Sequence, residues 1–170
     1  EVRLVDKEGR DVPTGGTGEL LFRGPHVFSG YWNNPEATAE AIDSQGWFHT
    51  GDLARADEEG FFYIVGRSKD MFISGGVNVY PAEIEGELVL HPKVADAAVV
   101  GVPDETWGEV GVAFVVATSS DQPAEEELRE FLGSRLARYK IPKRFIYVDE
   151  LPRTAYGKVV KSQLRDRLLR

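Results

Sequence analysis

The first third of the chain alternates in short runs. Val2-Arg3-Leu4-Val5 switches between apolar and polar positions and predicts a strand that turns at Lys7-Glu8-Gly9, and Gly18 to Phe22 predicts a second. Asn34-Pro35-Glu36 then reads as a helix start with proline at the first helical position, so a brief helix is expected over Ala37 to Ile42, ending before Gly46. Two further strands are predicted, Trp47 to Ala56 and Phe61 to Val65, joined by the turn Asp57-Glu58-Glu59-Gly60. Residues 1–67 therefore read as a β-meander carrying one helix.

From Asp70 onward the pattern becomes α+β. A strand over Met71 to Ser74 is followed by a Gly75-Gly76 break and by a helix opened at Pro81, with Glu83 and Glu85 at its positive end. Strands Ala95 to Val102 and Val110 to Ala117 come next. A helix entered at Pro123 follows, in which Leu128, Phe131, Leu132 and Leu136 recur at helical spacing and define one buried stripe. Phe145 to Val148 predicts a last strand, Leu151 to Gly157 a loop, and the remainder a terminal helix. No internal repeat or low-complexity tract interrupts this order.

Composition narrows the class. Hydrophobic residues at 42% against 28% charged are those of a globular chain of 170 residues rather than a disordered one. The absence of cysteine removes disulfides, thiolate nucleophiles and cysteine metal sites, and a cytoplasmic setting is the expectation. No apolar run approaches the roughly 20 residues of a membrane span. The net charge of −8 is unevenly spread, because residues 135–170 are strongly basic and the upstream chain correspondingly acidic. A basic block can meet phosphates or simply form a solvated face. Nucleic acid is disfavoured, since the basic residues lack an aromatic stacking platform and the whole chain would repel a polyanion.

Four segments stand out chemically. In Gly46-Trp47-Phe48-His49-Thr50-Gly51-Asp52-Leu53, an aspartate at a strand end is either a turn residue or an acceptor for the vicinal hydroxyls of a ribose. In Gly66-Arg67-Ser68-Lys69-Asp70, followed by Ser74-Gly75-Gly76-Val77-Asn78-Val79-Tyr80-Pro81, paired glycines allow a tight turn or a close approach of backbone to ligand. The change of pattern at Arg67 to Asp70 also suits an interdomain hinge. Val102 to Glu109 is a polar turn around Trp107, whose ring either covers a ligand's apolar arm or plugs a core edge. Leu151-Pro152-Arg153-Thr154-Ala155-Tyr156-Gly157-Lys158 offers a lysine that is surface, or a cation delivered to developing phosphate charge. Neither the G-x-x-x-x-G-K-[ST] phosphate loop nor a dinucleotide G-x-G-x-x-G in a strand-to-helix setting is present.

In this order the segments resemble the adenylate-forming (AMP-binding) superfamily, specifically its acyl-CoA synthetases, most closely in Gly46 to Asp52 and Gly66 to Glu85. The resemblance covers the last third of a family member. It implies an α+β fold in which residues 1–67 are the β-rich end of the large domain, 68–70 the hinge, and 71–170 a mobile C-terminal domain with a short antiparallel sheet flanked by helices. It also implies a ligase that converts a carboxylate and ATP into an acyl-adenylate and then transfers the acyl group to coenzyme A. By that likeness Asp52 holds the ribose, Arg67 lies near ribose and phosphate, and Lys69 is the hinge residue. Lys158 is the catalytic lysine of adenylation. Gly75 and Gly76 border the pantetheine tunnel, and Trp107 and Tyr139 contact coenzyme A, with Lys140, Lys143 and Arg144 near its phosphates.

The family's triphosphate loop, its magnesium-associated Glu and its acyl pocket have no counterpart in this sequence, so Mg²⁺ is expected to be held outside it and the chain alone to be inactive. A medium- or long-chain fatty acid is the expected substrate. The alternatives are an aryl-acid or succinylbenzoate ligase, and a non-catalytic nucleotide- or coenzyme-A-binding module.

Overall fold

The computed structural model describes residues 1–168 and divides the chain into two units, Glu1–Lys69 and Asp70–Arg170. The division falls inside a single 3-10 turn, Ser68–Asp70.

The first unit is a four-stranded antiparallel sheet in sequential order: β1 (Val2–Val5), β2 (Thr17–Phe22), β3 (Phe48–Ala56) and β4 (Phe62–Arg67). Helix α1 (Pro35–Ala41) lies between β2 and β3 in sequence, and the Asn34 side chain caps it by accepting from the Ala37 N–H at 3.0 Å. One small core gathers Leu4, Leu20 and Ala54, and the other Val5, Leu21 and Trp47. Adjacent strand residues point to opposite faces, so both faces of this narrow sheet bury something.

Three of its turns share one construction. Asp6, Asp43 and Asp57 each accept from the backbone N–H groups two and four residues on, at 2.8–3.0 Å. The third residue on is glycine each time, at φ of 77°, 80° and 86°. A carboxylate thus satisfies two turn donors while glycine takes the left-handed backbone. These bonds set the carboxyl groups below their ordinary range. The Arg10 N–H leads at Asp6 and the Phe61 N–H at Asp57, while at Asp43 burial pushes upward and the Trp47 and Gln45 donors outweigh it.

The second unit joins β5 (Phe72–Ser74), β6 (Val77–Val79), β7 (Val94–Asp104), β8 (Gly108–Ala117) and β9 (Arg144–Tyr147) in one sheet, ordered β6-β5-β8-β7, with β9 on β8. The predicted antiparallel sheet therefore has one parallel member. β9 runs parallel to β8 from Val112↔Arg144 to Val115↔Tyr147, because helix α3 (Glu125–Gly133) carries the chain back to the starting end. On one face α2 (Pro81–Leu88) and α3 cover Ile84, Leu88, Val99, Val115, Leu128, Leu132 and Phe145. On the other, α4 (Lys161–Leu168) inserts Leu164 against Ala98, Val100, Val112 and Phe114. The middles of β7 and β8, residues 97–101 and 110–115, are buried on both faces, which is why they read as apolar runs.

The structure departs from expectation locally. Val77–Val79, which follows the glycine pair, forms a strand, β6, that the sequence pattern did not predict. The Trp107 turn is tighter than expected, since β7 runs to Asp104 and β8 starts at Gly108. Leu136 lies beyond the end of α3, yet still packs on the core. No helix among the described residues is long and apolar enough to cross a membrane.

Candidate functional site

Asp52 sits where β3 is irregular on both edges. Against β2 the pairing jumps from Glu19↔Leu53 to Leu21↔His49, so Thr50, Gly51 and Asp52 face Leu20 alone. Against β4 it passes from Leu53↔Gly66 to Ala54↔Ile64 and skips Val65. Such bulges re-aim side chains and strip backbone groups of ladder partners. Side chains replace those partners here. The Thr50 hydroxyl donates to the Leu20 carbonyl at 2.7 Å and accepts from the Asp52 N–H at 3.0 Å. Glu19 Oε1 accepts from the Gly51 N–H at 3.1 Å, where Gly51 holds φ 70°.

Asp52 and Arg67, which the sequence reading assigned to one ligand, are direct cross-strand partners. Arg67 Nε pairs with Asp52 Oδ1 at 2.9 Å, and its Nη2 donates to the Thr50 carbonyl at 3.1 Å. Both side chains are half-exposed, so one carboxylate oxygen is held by the guanidinium while the pair remains accessible. Lys69 is exposed in the 3-10 turn two residues later.

In the second unit Gly75 and Gly76 are the two central residues of the β5–β6 hairpin turn, at φ 57° and 81°. Left-handed backbone at both positions is the demand of a two-residue hairpin turn. Gly75 donates its N–H to the Trp107 carbonyl at 2.9 Å and lies under the Trp107 ring. Lys143 Nζ stands 5.7 Å from that ring's centroid. The fold thus brings Gly75, Trp107 and Lys143 into one patch. Tyr139 is exposed in the 3-10 turn Arg138–Lys140, and no aromatic pair joins it to Trp107 among the described residues. Lys140 is engaged elsewhere, with its Nζ 2.6 Å from Glu83 Oε1.

Lys158 closes the turn Thr154-Ala155-Tyr156-Gly157. Its carbonyl accepts from the Thr154 N–H at 2.8 Å and its N–H donates to the Thr154 hydroxyl at 3.2 Å. Its side chain is exposed and forms no ion pair among the described residues. Arg153 braces this turn by donating to the Gly157 carbonyl and to Asp96 on β7. Behind it, Glu85 Oε1 accepts from Lys161 Nζ and from the Val99 N–H, both at 2.7 Å, and ties α4 to α2 and β7.

Sequence reasoning did not single out Glu19 or Asp96, and it read Glu85 only as an acid near the start of a helix. A signal was present for Glu19, an acid between Gly18 and Leu20 inside a strand whose neighbours are apolar. No group of three or more His, Asp or Glu able to hold an ion occurs among the described residues, so these residues do not fit a magnesium site and no magnesium chemistry is assigned to them.

The architecture is that of the C-terminal part of adenylate-forming enzymes. The structure of o-succinylbenzoate CoA synthetase from Bacillus subtilis, in complex with the acyl-adenylate intermediate OSB-AMP, superposes with a TM-score of 0.91 at 40% identity, covering 98% of this chain and 34% of that one. The anthranilate CoA ligase bound to anthranoyl-AMP gives a TM-score of 0.90 at 35% identity, over 98% of this chain and 33% of that one. The model for AMP-binding enzymes matches residues 1–32, and the model for the AMP-binding enzyme C-terminal domain matches residues 83–158. The chain belongs to the AMP-binding enzyme family. It is 50% identical to a feruloyl-CoA synthase of Amycolatopsis sp. over 98% of its own length and 34% of the relative's. Indoleacetate–CoA ligase of Aromatoleum aromaticum is 48% identical over 99% of this chain and 33% of the relative. The chain thus spans about a third of the length of the curated relatives it matches.

Proposed function

We propose that this chain is the C-terminal part of an ATP-dependent acid–thiol ligase that activates a carboxylic acid as its acyl-adenylate and passes the acyl group to coenzyme A. The carrying observation is the Asp52–Arg67 pair, presented at a doubly bulged strand in a chain half identical to a feruloyl-CoA synthase. A carboxylate with one oxygen fixed by arginine accepts from the hydroxyls of a ribose, and the guanidinium offsets charge near a phosphate. Lys158, exposed and free of ion pairs among the described residues, is suited to stabilise charge at the α-phosphate during attack by the acid. The Ser68–Asp70 turn, with Lys69, is the hinge between the two units. The Gly75 turn with Trp107 and Tyr139 borders the path of the coenzyme A arm.

The acid is aromatic. The relatives at 48–50% identity are named for feruloyl, indoleacetate and succinylbenzoate substrates, all of which carry an aromatic ring, and they do not support the expected medium- or long-chain fatty acid. The test is acid-dependent exchange of pyrophosphate into ATP by the full-length ligase, with ferulate, indoleacetate and dodecanoate compared at equal concentration. Exchange driven by an aromatic acid is expected; exchange driven by dodecanoate alone overturns the assignment.

A further inference from the structure

The Thr50–Asp52 bulge leaves the Gly51 N–H without a strand partner, and one side chain supplies it. Glu19 belongs to β2, where its backbone pairs with Leu53, and its carboxylate turns along the sheet toward the bulge. Oε1 accepts from the Gly51 N–H at 3.1 Å, and Oε2 lies 3.2 Å from His49 Nδ1. His49 Nε2 is in turn 3.7 Å from Asp43 Oδ2. The carboxylate is only 27% exposed, so its two bonds are shielded from water.

We propose that Glu19 is the positioning residue for Asp52: it sets the carboxylate that receives the ribose by fixing the backbone of the residue before it. Gly51 holds a positive φ and has no side chain with which to lock itself, and the Asp52 N–H is held from inside the bulge by Thr50. Removing the Glu19 acceptor frees Gly51 to rotate, and the Asp52 side chain leaves the plane in which Arg67 meets it. The inference rests on the ribose assignment of Asp52.

The experiment measures binding of AMP and of 2′,3′-dideoxy-AMP to the full-length ligase. The ratio of the two affinities reports the ribose contact, and a residue that merely stabilises the fold leaves it unchanged. Glu19→Met, near in size and without an acceptor, and Glu19→Ala are expected to lower the preference for AMP about tenfold, as Asp52→Ala does. Glu19→Gln, whose amide oxygen still accepts from Gly51, retains it. The double variant Glu19→Met/Asp52→Ala loses no more than Asp52→Ala alone. If Asp52→Ala abolishes the preference while Glu19→Met keeps it, the positioning role is overturned and the ribose reading stands. If Asp52→Ala itself keeps the preference, the ribose reading fails and the inference falls with it.

Discussion

The ring of Trp107 occupies the space that a side chain on Gly75 would need: a Cβ built there meets Cε3 at 2.8 Å and Cζ3 at 3.0 Å. The neighbouring Gly76 is open, with no atom within 4 Å of the same construction. The two glycines of one turn therefore do different work. Gly75 lets an aromatic ring rest on backbone, and Gly76 supplies a left-handed residue with room beyond it.

This asymmetry predicts the ranking of two substitutions. Gly76→Ala should cost about 1–2 kcal/mol, from left-handed backbone alone. Gly75→Ala should cost more, because the Trp107 ring must also move, and the Trp107 indole signal should shift in the NMR spectrum only in that variant. Thermal melting ranks the pair, and equal losses without an indole shift would contradict the contact. On the proposed function, in which this turn borders the path of the coenzyme A arm, Gly76→Leu in the full-length protein should slow thioester formation selectively while melting like Gly76→Ala.

Lys158→Ala should leave stability unchanged, because the amine makes no ion pair among the described residues and the turn is held by backbone and by Thr154. On the proposed function, acyl-adenylate formation by the full-length protein should fall by roughly 10²–10³, the usual scale for losing one preorganised group that stabilises transition-state charge. Transfer from pre-made acyl-adenylate to coenzyme A should be spared. Single-turnover assays of the two half-reactions separate these outcomes, and equal loss in both would make the lysine structural.

Glu85 joins α2, β7 and α4 of the second unit through two bonds to one carboxylate oxygen. Its side chain is 20% exposed and that of Lys161 15%, so Glu85→Ala strands a shielded ammonium and an unpaired Val99 N–H. A loss of about 2–4 kcal/mol is expected by denaturant unfolding. Glu85→Gln keeps the bond to Val99 and should lose less. Adding Lys161→Met to Glu85→Ala should recover part of the loss by removing the stranded charge.

The three aspartate turns give the first unit an acid sensitivity of known sign. Asp6, Asp43 and Asp57 have carboxyl groups lowered in the folded chain, so their contribution is present above the unfolded value of about 3.9 and lost as pH falls through the lower folded values. Unfolding midpoints should therefore drop below about pH 4. Asp57→Asn, which can still accept from Glu59 and Phe61 but cannot titrate, should flatten that drop.

Local chemistry determined much of this protein. Asn34-Pro35 started α1, Asp57 to Gly60 formed its turn, and the apolar runs became β7 and β8, because caps, turns and continuous burial act over a few residues and leave their mark in order along the chain. Asp52, Arg67 and Lys158 were legible as candidates for the same reason, since their motifs are contiguous. Tertiary structure alone decided that β9 is parallel to β8, that Asp52 and Arg67 face one another, that Trp107 rests on Gly75, and that Glu19 reaches Gly51 across 32 residues. Each depends on strand register or on two segments distant in sequence. A one-residue change of register turns a strand's side chains to the opposite face, and no local pattern encodes that choice.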